Sequence, residues 1–210
     1  MVNRPGRRPA PDSRDRVFRA AAAEFAARGY AGANVDRIAR GARLNKAMIY
    51  YHFGSKAALY RAILADMFGA VEARVRGVAA GPGAPEDKLR GFVEAIGAEA
   101  EARPHFPAIW LREIAEGGEH VDTATLRYAG AVVQVLVGII DEGRAAGVFQ
   151  PTTPLLLHGS IIAPLMFFIA TERVRRKFEK AGVQGAVIPR ETVVAYVQRL
   201  ALAVVQGRIS

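Results

Sequence analysis

Residues 46–56 read KAMIYYHFGSK, with two lysines, two tyrosines and a histidine in eleven positions. On a short helix, Lys46, Ala47, Met48, Tyr51 and His52 are available outward, while Ile49 and Phe53 can anchor a core. Small and polar side chains of this kind suit contact with base edges and phosphate oxygens. Glu116 and His120 stand four residues apart, as two metal ligands on one helical face would. Gly117-Gly118 between them breaks the helix that would align them, so no metal site is expected. The chain has no Cys, which excludes a disulfide scaffold, a zinc-thiolate site and a Cys nucleophile. With no Gly-rich phosphate loop and no nucleophile motif, neither an enzyme nor a cofactor is expected.

The elements that must hold the 46–56 segment read as helices. From Asp12 to Arg28, Phe18, Ala21, Ala22 and Phe25 keep the i, i+3, i+4, i+7 spacing, and Gly29 is the expected stop. Asn34 can cap a short helix carrying Val35, Ile38 and Ala39. A break over Gly41 to Asn45 precedes a second short helix, Lys46 to Phe53. Ser55 can then cap a long helix whose stripe is Tyr60, Leu64, Met67, Phe68, Val71 and Val75. Two short helices joined by a tight turn, after a longer amphipathic one, form a helix-turn-helix pattern over about 34–53.

The segment Gly77 to Pro85 (GVAAGPGAP) reads as a linker. Further helices are expected over about 86–103, Pro107 to Glu116, 121–146, 154–171 (or on to Phe178) and 190–207. Val193, Val197, Leu200, Ala201 and Val204 form the apolar face of the last. No convincing strand run occurs, so the expected fold is all-α. It comprises a basic arm (1–11), an N-terminal helix-turn-helix domain (12–71), a linker (77–85) and a larger helical domain (86–210).

Charge supports that division. The net charge is +9 from 29 basic and 20 acidic residues. Residues 1–60 hold twelve basic and four acidic side chains, and the remainder is nearly balanced. A basic first third facing a polyanion is the expected arrangement. The N-terminal arm with Arg4, Arg7 and Arg8 adds nonspecific attraction or enters a minor groove.

The stretch FRAAAAEFAARGYAGANVDRIARGARLNKAMIYYHFGSKAALYRAIL resembles the DNA-binding domain of the TetR/AcrR family of bacterial transcription regulators. The resemblance covers roughly residues 14–68. It rests on Phe25…Gly29-Tyr30, Ile38-Ala39, and Lys46…Tyr50…His52-Phe53…Ser55-Lys56. It implies that Asn34 lies near a phosphate, and that Lys46, Tyr50, His52 and Lys56 touch the DNA backbone. It also implies that Ala47, Met48 and Tyr51 face bases in the major groove. Arg43 stands where the family usually has a turn glycine, so either the turn is reshaped or Arg43 accepts left-handed strain and adds a phosphate contact. Ala47 and Met48 replace the usual Gly and Thr, so base preference does not carry over.

The same resemblance implies that the rest of the chain senses a ligand and dimerises. Candidate pocket residues on otherwise apolar helices are Phe106, Trp110, Glu113, Tyr128, His158, Met166 and Phe167. Pro164 is expected to kink its helix and free a carbonyl, a possible pocket wall. The helices near 154–171 and 190–207 are apolar enough to serve both the core and a homodimer interface. The run Leu155 to Ala170 is too short for a membrane span and carries His158, Ser160 and Pro164, so no membrane partner is expected. The basic start lacks a secretory signal's apolar core, pointing to a cytoplasmic, nucleoid-associated protein. The expected function is that of a ligand-responsive repressor on a palindromic double-stranded DNA operator, released by a small, largely apolar effector. The rival readings are a nonspecific nucleoid-type DNA binder and a helical enzyme.

Overall fold

The computed structural model describes residues 12–208, so the basic arm lies outside the described residues. Among the described residues there are ten helices and no strand: α1 Ser13–Gly32, α2 Val35–Ala42, α3 Lys46–Phe53, α4 Lys56–Ala80, α5 Pro85–Ala102, α6 Phe106–Ala115, α7 Thr123–Ala145, α8 Pro154–Ala170, α9 Glu172–Lys180 and α10 Arg190–Val205. The chain divides into two compact units between Ile63 and Leu64. That boundary falls inside α4, upstream of the expected 77–85 linker. Residues 77–85 instead hold the end of α4, a short turn and the first residue of α5.

In the first unit, α1 packs on α2 and α3. Its core is built from Val17, Ala21, Phe25, Ile38, Ile49 and Leu59, all fully buried. The Phe25 and Tyr60 rings meet edge-on at 4.8 Å, a favourable aromatic geometry. Gly29 leaves helical geometry (φ 68°, ψ 178°) and kinks α1, which resumes for one more turn. The expected stop is thus a bend. Gly41 stays helical, and α2 runs to Ala42 before the turn.

In the second unit, α5 is the central helix, packed by α7, α8 and α10. Leu89, Phe92, Val93 and Ile96 on it are buried. Arg190 at the start of α10 pairs with Glu94 at 3.0 Å and Glu101 at 2.9 Å, tying α10 to α5. Buried Glu99 pairs with Arg74 at 2.5 Å and also with Arg103, as a buried carboxylate requires. α8 stops at Ala170, and α9 leaves it with a 55° bend rather than continuing its line to Phe178. On α10 the buried face is Val194, Val197, Ala201, Leu202 and Val205. Val193, Leu200 and Val204, expected there, are only half-buried. By length and composition α7 is apolar enough to cross a membrane, yet one face of it is buried in this core.

Candidate functional site

The reading head is built from two N-caps and a strained turn. Asn34 Oδ1 accepts from the Asp36 N–H at 2.7 Å and starts α2. Asn45 Oδ1 accepts from the Met48 N–H at 3.1 Å and starts α3, a cap that the N-cap preference for Asn could have disclosed. Between them, Arg43 adopts φ 54°, ψ 45°, the left-handed region where side chains with a Cβ are strained. Its carbonyl accepts from Arg16 Nη2 at 2.8 Å, which holds the turn against α1. Of the two alternatives for this position, the strained turn is the one adopted.

Every residue expected at the DNA surface lies in this unit. Tyr51 is 80% exposed and Tyr50 45%. Lys46 and Ala47 are exposed beside them, and Met48 is half-buried. Ile49, fully buried, fixes the rotation of α3 that turns these residues outward. Lys46 Nζ lies 3.3 Å from Asp36 Oδ1, an exposed pair that holds little free energy. Lys56 is already engaged, donating to the Ala33 carbonyl at 3.0 Å and sitting 4.4 Å above the Tyr30 ring. It therefore joins the start of α4 to the α1–α2 junction. His52 Nε2 lies 2.7 Å from Ser13 Oγ, a link between α3 and the start of α1 that periodicity did not disclose. Glu24 braces α2 through Arg37 at 2.6 Å and the Asn34 N–H at 3.2 Å. Burial alone would raise its carboxyl pKa, but these two donors outweigh it and hold the group below the usual carboxylate range.

The second unit holds a cavity of about 320 Å³ walled by α4, α5, α6, α7 and α8. Phe106, Trp110, His158 and Met166 line it as expected. On α8, His158, Ile162 and Met166 recur every four residues and present one face to it. The structure does not bring Glu113, Tyr128 or Phe167 to this wall. Phe167 is 66% exposed on another face of α8, and Pro164, within α8, is also outside the wall. Tyr128 lines a shallow cleft with Glu72 and Arg127. Ala129 and Gly130 of α7 line the cavity but escaped sequence reasoning, and a Cβ added at Gly130 would meet no heavy atom within 4 Å. Burial holds the His158 imidazole below its ordinary pKa, which favours the neutral ring.

Glu113 is fully buried and faces His120 instead. Gly117 (φ 80°) and Gly118 (φ 78°) reverse the chain after α6. The His120 N–H thereby returns to donate to Glu113 Oε1 at 2.7 Å, with Nδ1 3.4 Å from Oε2. The two glycines expected to separate Glu116 from His120 thus gather them, with Glu113, to within 4.8 Å. The break in the helix is real; its consequence for these side chains is the reverse of the expectation.

The family model described as "Bacterial regulatory proteins, tetR family" matches residues 17–63, and "Tetracyclin repressor-like, C-terminal domain" matches residues 85–180. The HTH-type transcriptional repressor NicS of Pseudomonas putida is 32% identical over 166 residues, 77% of each chain. The chain belongs to the tetR family of bacterial regulatory proteins. The HTH-type transcriptional repressor SCO4008 of Streptomyces coelicolor is 30% identical over 66% of this chain and 68% of its own. Among solved structures, the tetR-family regulator PfmR of Thermus thermophilus superposes with a TM-score of 0.71 at 26% identity, covering 90% of this chain and 97% of its own. As a tetR-family member the protein is a ligand-responsive, DNA-binding transcriptional repressor.

Proposed function

We propose that the protein is a homodimer that places α3 of each protomer in successive major grooves of a near-palindromic operator and is released when a small, largely apolar effector fills the cavity. Ala47, Met48 and Tyr51 read bases in this arrangement. Asn34, Arg43, Lys46, Tyr50, His52 and Lys56 meet the phosphate backbone or position the groups that do. The observation that carries the reading is the composition of α4. It begins at Lys56 beside the reading head and contributes Phe68 and Val71 to the cavity wall. A ligand shifts the DNA-competent population only through differential affinity for two states. Seating it against Phe68 and Val71 favours one placement of α4 over another, and two α3 helices must stand about 34–36 Å apart to fit one face of DNA.

Exposed Leu155, Leu156 and Phe167 on α8 and Tyr196 on α10 support pairing of these helices across a two-fold axis. The protein would act in the cytoplasm, on chromosomal DNA.

The test combines genomic footprinting with affinity measured at fixed salt. A sharp footprint on a palindrome is expected, and uniform coating would favour nonspecific binding instead. Light scattering at micromolar concentration showing only a 22.6 kDa species would overturn the dimer. Saturation of the cavity without any change in operator affinity would overturn the release mechanism.

A further inference from the structure

We infer that the cavity selects uncharged ligands that bring one hydrogen-bonding group to the His158 imidazole, and that it rejects carboxylates and ammonium ions of the same shape. The inference rests on the reading of this cavity as the effector site and adds the chemistry it accepts. None of the fourteen described residues lining it carries a charged side chain, apart from the titratable imidazole of His158. Its remaining wall is aliphatic, aromatic or thioether. At about 320 Å³, it has room for about ten water-sized groups.

The cavity opens to solvent at Leu126 and Leu155, but an ion seated at its buried end beside His158 gives up hydration there and finds no opposite charge to replace it. A carboxylate would have to carry a proton in, or draw one onto His158, and burial of that ring opposes the second route. An ammonium ion would find one neutral acceptor and aromatic rings, whose attraction does not match the hydration it gives up. A hydroxyl or carbonyl fits without such conflict, since a neutral imidazole offers one donor and one acceptor. A bare hydrocarbon gains the apolar contact but leaves His158 without that partner. His158 is thus the specificity-determining residue, and the ligand's polar end lies beside it.

Trp110 is the chain's single tryptophan and lines the cavity, so its emission reports occupancy directly. The full-length protein is titrated with cyclohexyl and adamantyl alcohols, carboxylates and ammonium salts, matched in shape and transparent where Trp110 is excited. At least one alcohol should change Trp110 emission saturably, with its carboxylate and ammonium counterparts at least about a hundredfold weaker. His158→Phe should weaken the alcohol about tenfold and leave the ions as weak as before. His158→Gln, which keeps a neutral donor and acceptor, should restore most of the preference. A carboxylate or ammonium ion within tenfold of its alcohol overturns the selectivity and leaves the cavity reading standing. If no compound of either framework alters Trp110 emission, the cavity reading itself is overturned and the inference falls with it.

Discussion

His52 Nε2 lies 2.7 Å from Ser13 Oγ, and Ser13 Oγ donates in turn to Asp12 Oδ1 at 3.1 Å. With its proton committed to Asp12, the Ser13 hydroxyl accepts from His52, which must then carry its proton on Nε2. The last turn of α3 is thereby fastened to the first turn of α1. Asp12 also accepts from the Arg14 N–H, the largest of the contacts that lower its carboxyl pKa, with Ser13 next. Ser13→Ala should cost about 1 kcal/mol of stability. It should weaken DNA binding to all sequences alike, because it frees His52 without touching a base. Urea denaturation and anisotropy titrations on two unrelated duplexes would check both, and a changed base preference would contradict the assignment.

Arg43 stores backbone strain at a position that glycine occupies freely. Arg43→Gly should therefore raise stability by about 0.5–1 kcal/mol, the relief being partly offset by a more flexible unfolded chain. The same change removes an exposed guanidinium from the side proposed to face DNA. The slope of log affinity against log salt should flatten by about one. A more stable protein with weaker, less salt-sensitive binding is the signature to look for.

Gly143 in α7 lies under the ring of buried Phe149, and both the Val148 and Phe149 N–H groups donate to its carbonyl. A Cβ there would overlap the Phe149 ring. Alanine ordinarily strengthens a helix by about 1 kcal/mol over glycine. At this position Gly143→Ala should instead destabilise by about 1–3 kcal/mol. Pairing it with Phe149→Leu should recover part of the loss, measurable as a partial return of the denaturation midpoint.

Acid should weaken the second unit through two histidines. Burial lowers the pKa of His158, and burial followed by the nearby Arg173 lowers that of His105. As pH falls below the ordinary value of 6.5, the unfolded chain takes up protons that the folded chain refuses. Stability therefore falls with pH from that point until the folded rings titrate in turn. His158→Phe should flatten this slope between pH 6.5 and the onset of carboxylate titration. Thermal denaturation across that range would show whether it does.

The reading head was largely legible in the sequence, because short helices bounded by Asn34, Asn45, Gly54 and Ser55 carry their start and stop signals within a few residues. The second unit was less so. Helical spacing shows that α8 has an apolar side but not which neighbour covers each strip of it. Met166 thus faces the cavity while adjacent Phe167, about 100° round the helix, is exposed. Gly77 looked like a break, yet α4 runs through it. The cost of one helical glycine, about 1 kcal/mol, is outweighed by buried Val75 and by Val78, packed closely on Gly91. Glu113, read as a polar cavity group, faces His120, which the reversal at Gly117 and Gly118 brings back to it. Ala129 and Gly130 were missed because small side chains leave no pattern to read.

Those two small residues separate two properties that a dense core would bind together. Where a cavity wall is made of large interlocked side chains, changing its size disturbs the fold. Here Gly130 faces open space, so a methyl group added there displaces no neighbouring atom. The size of the site can therefore be changed at Gly130 without crowding a neighbour. The proposed DNA-reading surface is built from other residues, in the other unit. A lineage could exchange its signal at this position while keeping its operator.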